Sequence, residues 1–366
     1  VVDVQAVRDA IEQVNDPEIH VSLGELGMVR EVAVDEGAVA VTVALPVAGS
    51  PLRENLLDDI AAATTAIEGV TAVDVTFIAM TDEERAVLTA NLRGDSGDQR
   101  EIKLAAPGSK VRVIGISSGK GGVGKSSVTA NLAVALAEQG KRVGIIDADV
   151  WGFSIPKMMG IDRAPSVLDD LLLPPQAYGV GVISMDFFVQ PDQAVVWRGP
   201  MLHKALEQFL VDVYWGELDY LIIDMPPGTG DVAISISQYL PKSEILVVTT
   251  PQPAAQRVAV RAGLMARKVD QEVIGVVENM SWFTGDDGKR YEIFGSGGGE
   301  ALARDLEVPF LGKIPLVTAI REGADVGKPI TVVDPDGEAA KAFVDLATQI
   351  VATGPRLRSH PELVIS

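Results

Sequence analysis

The feature that most restricts the fold of this chain is the stretch GISSGKGGVGKSSVTANLAVAL, residues 115–136. An apolar run ends in it, an apolar pattern of helical period leaves it, and glycines and two lysines lie between. Such a junction fits a buried strand that turns sharply into a helix. Gly119, Lys120, Gly121, Gly122, Val123, Gly124, Lys125 and Ser126 match G-x-x-x-x-G-K-[ST], and Ser127 follows. Glycines let the backbone wrap so that its N–H groups converge on phosphate oxygens, and the helix N-terminus adds positive partial charge. An ordinary strand–helix turn needs neither the Lys-Ser pair nor so many glycines. Lys125 is therefore expected at the β- and γ-phosphates of a nucleotide, and the Ser126 hydroxyl on Mg2+.

From residue 110 onward the pattern repeats. Apolar runs at 111–117, 142–147, 180–187, 219–224, 244–250, 272–278 and 310–314 are separated by helical stretches, clearest at 126–138, 201–213 and 254–269. This predicts a P-loop α/β fold: a mostly parallel sheet covered by helices on both faces, with ligands at the carboxyl ends of the strands. Residues 1–92 predict a small separate α/β module. A helix carries Val4, Val7, Ile11 and Val14; two strands in MVREVAVDEGAVAVTVAL meet at Asp35-Glu36-Gly37; a second helix (Leu56 to Ile67) and the strand VTAVDVTFI follow. Residues 93–109 are polar and aperiodic, a linker. The nucleotide-binding domain is expected over 110–353, with a proline-broken tail over 354–366.

Composition narrows the partners. Acidic residues outnumber basic ones 51 to 31, for a net charge of −20. That argues against a nucleic-acid surface and against unaided binding to anionic membrane. No run approaches the roughly 18 uncharged apolar residues of a membrane span. Asp3, Asp9, Glu12 and Asp16 interrupt any secretory pattern in the first twenty residues, so a cytoplasmic protein is expected. The cysteine count is zero, which excludes disulfides, thiolate nucleophiles and thiolate-held clusters within this chain. The histidines, His20, His203 and His360, have no metal-ligand spacing.

Carboxylates fall at strand ends beside the phosphate loop. RVGIIDADVWGFSIP places Asp147 and Asp149 there, and YLIIDMPPGTGD places Asp224. A lone strand-end aspartate is usually a turn former, but two such ends beside a phosphate loop suggest Mg2+ ligation. Ser126, Asp147 and Asp224 form the expected metal set, and Asp149 is expected to orient the attacking water. The guanine-reading Asn-Lys-x-Asp signature is absent; Asn279 in GVVENMSWF ends a later strand and reads either as an adenine contact or as a turn former. GSGGGE at 295–300 reads as a turn.

The ordered segments GKGGVGKSSVTANLA, DADVWGFSIP, VVWRGPML, WGELDYLIIDMPPGTGD, TTPQP, VVENMSWF and IFGSGGGE resemble the Mrp/ApbC family of P-loop ATPases, regarded as iron–sulfur cluster carriers. The resemblance covers nearly all of residues 110–350. DPEI and LGELGMV in residues 1–92 resemble an accessory module found with this ATPase and in iron–sulfur assembly factors. The lysine in the second position of the phosphate loop resembles that of the MinD, ParA and nitrogenase-iron-protein group. This implies a homodimer in which Lys120 reaches the phosphates of the facing subunit, so Lys120, Lys125 and Asp149 form the implied catalytic set. ATP and Mg2+ are the implied cofactors, and iron–sulfur assembly proteins or apo-clients the implied partners. Arg198 is typical of the family, either as a functional group or as an interface arginine.

The departures matter as much. Where the family usually carries Cys-x-x-Cys, this chain reads TGDDGKRYE, a tight turn; a Cys-Pro of the accessory module is Ser50-Pro51; and a family proline is Phe153. No iron–sulfur cluster is expected from the chain's own ligands. A MinD/ParA-like switch that recruits a protein partner is the alternative. A metabolic kinase is a third reading, without an identifiable acceptor pocket.

Overall fold

The computed structural model describes residues 2–355 apart from 48, 95–100, 107, 151, 190–198 and 229. Arg198, part of the expected linker, and the tail from 356 onward thus lie outside the described residues. The chain divides into two compact units. The small one comprises Val1–Glu101, Arg163–Pro175 and Val211–Gly216; the large one comprises Ile102–Asp162, Gln176–Leu210 and Glu217–Ser366.

In the large unit an eight-stranded sheet runs in the order Phe310–Lys313, Glu272–Glu278, Glu244–Thr249, Arg112–Ser118, Tyr220–Asp224, Val143–Asp147, Val180–Ser184, Gln176–Ala177. Every pairing is parallel except the last, where Gln176–Ala177 runs antiparallel at the edge. The central strands are buried from end to end, as their unbroken apolar sequences require in a sheet covered on both faces. Helix Lys125–Glu138 is buried along most of its length and shares a core with Ile114, Ile145, Phe343 and Leu346. That core fixes the direction in which the phosphate loop opens. The expected strand 180–187 ends at Ser184, where the chain tightens into the 3₁₀ turn Met185–Phe188. There the Ser184 hydroxyl accepts from the Asp186 N–H and ends the extended run.

The small unit is built on three strands. Val29–Asp35 pairs antiparallel with Ala38–Leu45, which pairs parallel with Ala72–Ala79. The first two are joined by Glu36-Gly37, both at positive φ (46° and 92°), the twist a two-residue hairpin turn prefers. Helices Val4–Glu12, Arg53–Thr65 and Asp82–Arg93 complete its N-terminal part. Its other parts come from far along the chain: a hairpin of Ser166–Leu168 and Leu171–Leu173, and the segment 211–216. Among the described residues no helix is long and apolar enough to cross a membrane.

Candidate functional site

Strand Arg112–Ser118 delivers the chain to residue 119, and helix Lys125–Glu138 takes it away at Lys125. Gly119 has no room for a side chain: a Cβ would lie 2.3 Å from the backbone nitrogen of Ala259. Gly124 adopts the left-handed region at φ 80°, and a Cβ there would meet Asn279 Nδ2 at 2.3 Å. Gly119 and Gly124 are thus demanded by close packing, and Gly122 by its left-handed backbone, φ 76°.

The three carboxylates expected from strand ends converge here. Asp224 and Asp147 are cross-strand neighbours, and both are fully buried. Lys125 Nζ lies 2.8 Å from Asp224 Oδ2 and 3.5 Å from Asp149 Oδ2. Ser126 Oγ donates to Asp224 Oδ2 at 2.7 Å, and Thr129 Oγ1 to Asp224 Oδ1 at 2.7 Å. Lys125 therefore faces two buried carboxylates, Asp224 and Asp149, with Asp147 beside Asp224 on the adjoining strand, a surplus of acidic groups that a hard divalent cation fits. Ser126 and Asp224 are adjacent protein oxygens that could hold such a cation. Among the described residues no group of three or more His, Asp or Glu side chains could hold a metal by itself. Remaining ligands must come from phosphate and water, the usual arrangement for Mg2+.

Asp147 departs from the metal role expected of it. Its Oδ2 accepts from the N–H groups of Ser154 and Ile155 and from Ser184 Oγ, at 3.1–3.2 Å, while Oδ1 accepts from the Asp149 N–H at 3.3 Å. With both oxygens occupied, this is the geometry of a residue that positions the Asp149 loop. Burial, and secondarily the nearby Asp224 carboxylate, push Asp147 up to about 7.

Asn279 is brought against the phosphate loop, where its Nδ2 donates to the Val123 carbonyl at 2.9 Å. The amide thereby braces the loop. Lys120 Nζ donates to Gln252 Oε1 of TTPQP at 3.1 Å, within the same chain. Gly121 and Gly122 are exposed on the outer turn, and the Ser127 carbonyl is taken by Asn131 Nδ2 at 2.8 Å. GSGGGE does more than turn. It starts helix Gly298–Asp305, where Gly299 donates its N–H to the buried Glu278 at 2.6 Å. The GDDGK segment is a hairpin turn closed by Asp287, which accepts from the Lys289 N–H and the Tyr291 hydroxyl.

Sequence reasoning missed Thr129, Ser184 and Gln252. Thr129 had a usable signal, since it follows Lys125 by four residues and so shares its helix face. Gln252 lies in TTPQP, one of the segments that carry the family resemblance, but its partner Lys120 is far away in the chain; Ser184 had no signal, because Asp147 lies on another strand.

Comparison with known proteins identifies the family. Residues 110–351 match the family model described as NUBPL iron-transfer P-loop NTPase, and residues 4–75 match one described as iron–sulfur cluster assembly protein. The iron–sulfur cluster carrier protein of Mycobacterium tuberculosis strain H37Rv is 46% identical over 349 residues, covering 93% of this chain and 91% of the relative. The protein of that name from Synechocystis is 42% identical over 352 residues, covering 94% and 96%. Among solved structures, a nucleotide-binding protein from Archaeoglobus fulgidus in complex with ADP is 38% identical, with a TM-score of 0.55, covering 64% of this chain and 93% of that one. The cell division ATPase MinD of Pyrococcus furiosus is 28% identical with a TM-score of 0.52, covering 66% and 99%.

Proposed function

The chain belongs to the iron–sulfur cluster carrier family of P-loop NTPases, and from that premise we propose that it binds and slowly hydrolyses Mg-ATP as a homodimer and acts in iron–sulfur protein maturation. The observation that carries this reading is the cluster of Lys125, Ser126 and Thr129 on Asp224 at the mouth of a phosphate loop. Lys125 leaves Asp224 for the β/γ-phosphates when ATP enters. Ser126 and Asp224 would hold Mg2+, which would supply positive charge against that developing on the phosphates. Asp149, released from Lys125, orients the attacking water, and Asp147 fixes the loop that carries it. Lys120 exchanges its contact with Gln252 for the phosphates of the facing subunit, where a cation stabilises the transferred phosphoryl group. The ADP complex of the Archaeoglobus relative supports nucleotide occupancy of such a loop.

With no cysteine, this chain has no thiolate for a cluster: either it works without a cluster of its own, or a partner provides every ligand. The similarity to MinD favours a second reading, a nucleotide switch that captures a protein partner. Activation of an apo-client separates the two. The direct test is ATP titration of the wild type and Lys125→Ala. The variant is expected to lose at least about tenfold in affinity, the loss of one charge-assisted hydrogen bond or more. Unchanged affinity sinks the site assignment. Anaerobic reconstitution with iron and sulfide is expected to leave the isolated chain without a cluster signal in electron paramagnetic resonance.

A further inference from the structure

Of the two lysines in the phosphate loop, Lys125 is held by carboxylates and Lys120 by a neutral amide, its Nζ donating to Gln252 Oε1 at 3.1 Å. The backbone around Lys120 is pinned. A Cβ on Gly119 would lie 2.3 Å from the nitrogen of Ala259 and 2.4 Å from the carbonyl carbon of Val258, so this end of the loop is seated on helix Pro253–Lys268. The Lys120 carbonyl accepts from Ser118 Oγ at 3.1 Å. Lys120 itself is half-buried, and Gly121 after it is exposed, with open space where a Cβ would stand. A change in the place of the ammonium group is therefore a rotation of the side chain, not a movement of the loop.

The ammonium group rests in an electrostatically poor place. Gln252 immediately precedes helix Pro253–Lys268, which is 16 residues long, and its side chain makes no capping bond to that helix. The N-terminal end of a helix carries positive partial charge and disfavours a cation. Against this, Lys120 gains a hydrogen bond from a neutral carbonyl oxygen, without the Coulomb attraction that a carboxylate would add. Such an acceptor gives Lys120 a defined position. It is too weak to compete with phosphate oxygens, which bring several negative charges.

We infer that Gln252 is a neutral latch on Lys120, a positioning residue that sets how readily this lysine leaves its own chain for the phosphates of a facing subunit. The inference rests on the reading that Lys120 acts across a nucleotide-bound homodimer. A lysine held within its own chain is withdrawn from the population competent for catalysis, so hydrolysis falls as the hold strengthens and rises as it weakens. Gln252 acts only through Lys120. Two substitutions at this one position therefore have opposite signs: removing the acceptor frees Lys120, and charging it ties Lys120 down. A residue needed merely to support the helix or the loop would give a loss in both.

The test is steady-state phosphate release by the full-length protein at saturating Mg-ATP, with ATP affinity measured alongside. Gln252→Ala is expected to turn over about threefold faster than wild type, as the competing state is lost. Gln252→Glu is expected to turn over about tenfold slower, the weight of one added charge pair at a partly exposed site. Both variants are expected to bind ATP within about threefold of wild type, since neither change touches the nucleotide. Raising ionic strength from about 0.05 M to about 0.5 M is expected to recover about half of the Gln252→Glu loss or more, because salt screens such a pair. Losses in both variants, a rate equal to wild type in either, or a Gln252→Glu loss indifferent to salt overturns the latch. Lys120→Ala tells the two levels of failure apart. If it binds ATP without hydrolysing it and the Gln252 variants still fail to split in sign, the latch alone falls. If it hydrolyses at the wild-type rate, or if wild type binds no ATP, the underlying reading is refuted and the latch with it.

Discussion

Two loops in this molecule are tied by the same device, a buried aspartate that accepts hydrogen bonds from backbone N–H groups just ahead of it. In the small unit, Asp16 Oδ1 accepts from Glu18 at 2.9 Å and Ile19 at 2.8 Å. In the large unit, Asp147 accepts from Asp149, Ser154 and Ile155, with Ser184 added from the adjoining strand. Both carboxyls titrate above the ordinary range, chiefly because burial disfavours the charged form. The difference lies in what stands beyond them. No second carboxylate contributes to the shift of Asp16, whereas Asp147 adjoins Asp224, which is paired with Lys125. A buried aspartate on backbone donors is a structural tie; it becomes part of a site when a second carboxylate and a lysine share its burial. This is why strand-end aspartates alone are weak evidence and their convergence is strong.

The comparison can be broken most severely at Asp147. Asp147→Ala leaves three N–H groups and a hydroxyl without their acceptor, and roughly 2–5 kcal/mol of stability is expected to go. ATP hydrolysis is expected to fall by about a hundredfold or more, as Asp149 loses its fixed position. Denaturant midpoints and single-turnover assays measure the two effects. Activity at wild-type level would mean that Asp149 needs no such support. Asp16→Ala comes next, with a loss of roughly 1–3 kcal/mol confined to stability. Nucleotide affinity within about twofold of wild type is expected for it, the size of effect left when no site contact is lost.

Asp16→Asn sharpens the contrast. One amide oxygen can accept both N–H groups, so the variant should unfold within about 0.5 kcal/mol of wild type at neutral pH. The smallest effect is on pH dependence. Because the folded state holds the Asp16 proton more tightly than the unfolded chain, stability declines as pH rises from the ordinary carboxylate range through the raised value, then levels off. Asp16→Asn should remove that decline from urea midpoints collected across the acid range. A decline that persists unchanged assigns it to other carboxyls.

The phosphate loop, the alternation of strands and helices and the three convergent aspartates were legible because each is a local pattern. Period, glycine spacing and strand ends are short-range signals, and the family resemblance strengthened them. The division of labour between Asp147 and Asp149 was not legible, since it depends on Ser184 from another strand and on the N–H groups of Ser154 and Ile155. Asn279 was placed at the right strand end, but its bond to Val123 follows from the close approach of Gly124. Least visible was the membership of SVLDDLLLPP in the small unit. Its leucines have no helical or strand period, and their apolar partners precede them by about 80 residues or more.

That last feature also sets a timetable for synthesis. Residues 1–101 are made first, yet the unit they belong to closes only once Gly216 is available. At about 5–20 residues per second, the nascent module waits roughly 4–14 s for its missing leucines and roughly 6–23 s for Gly216. Throughout that interval Leu23, Met28 and Leu88 face an unfilled core, and an apolar segment from any other chain can compete for the place. Chaperone dependence and misassembly should therefore concentrate in the first third of the chain. A slower passage through residues 102–216 should worsen both, without changing one contact of the finished protein.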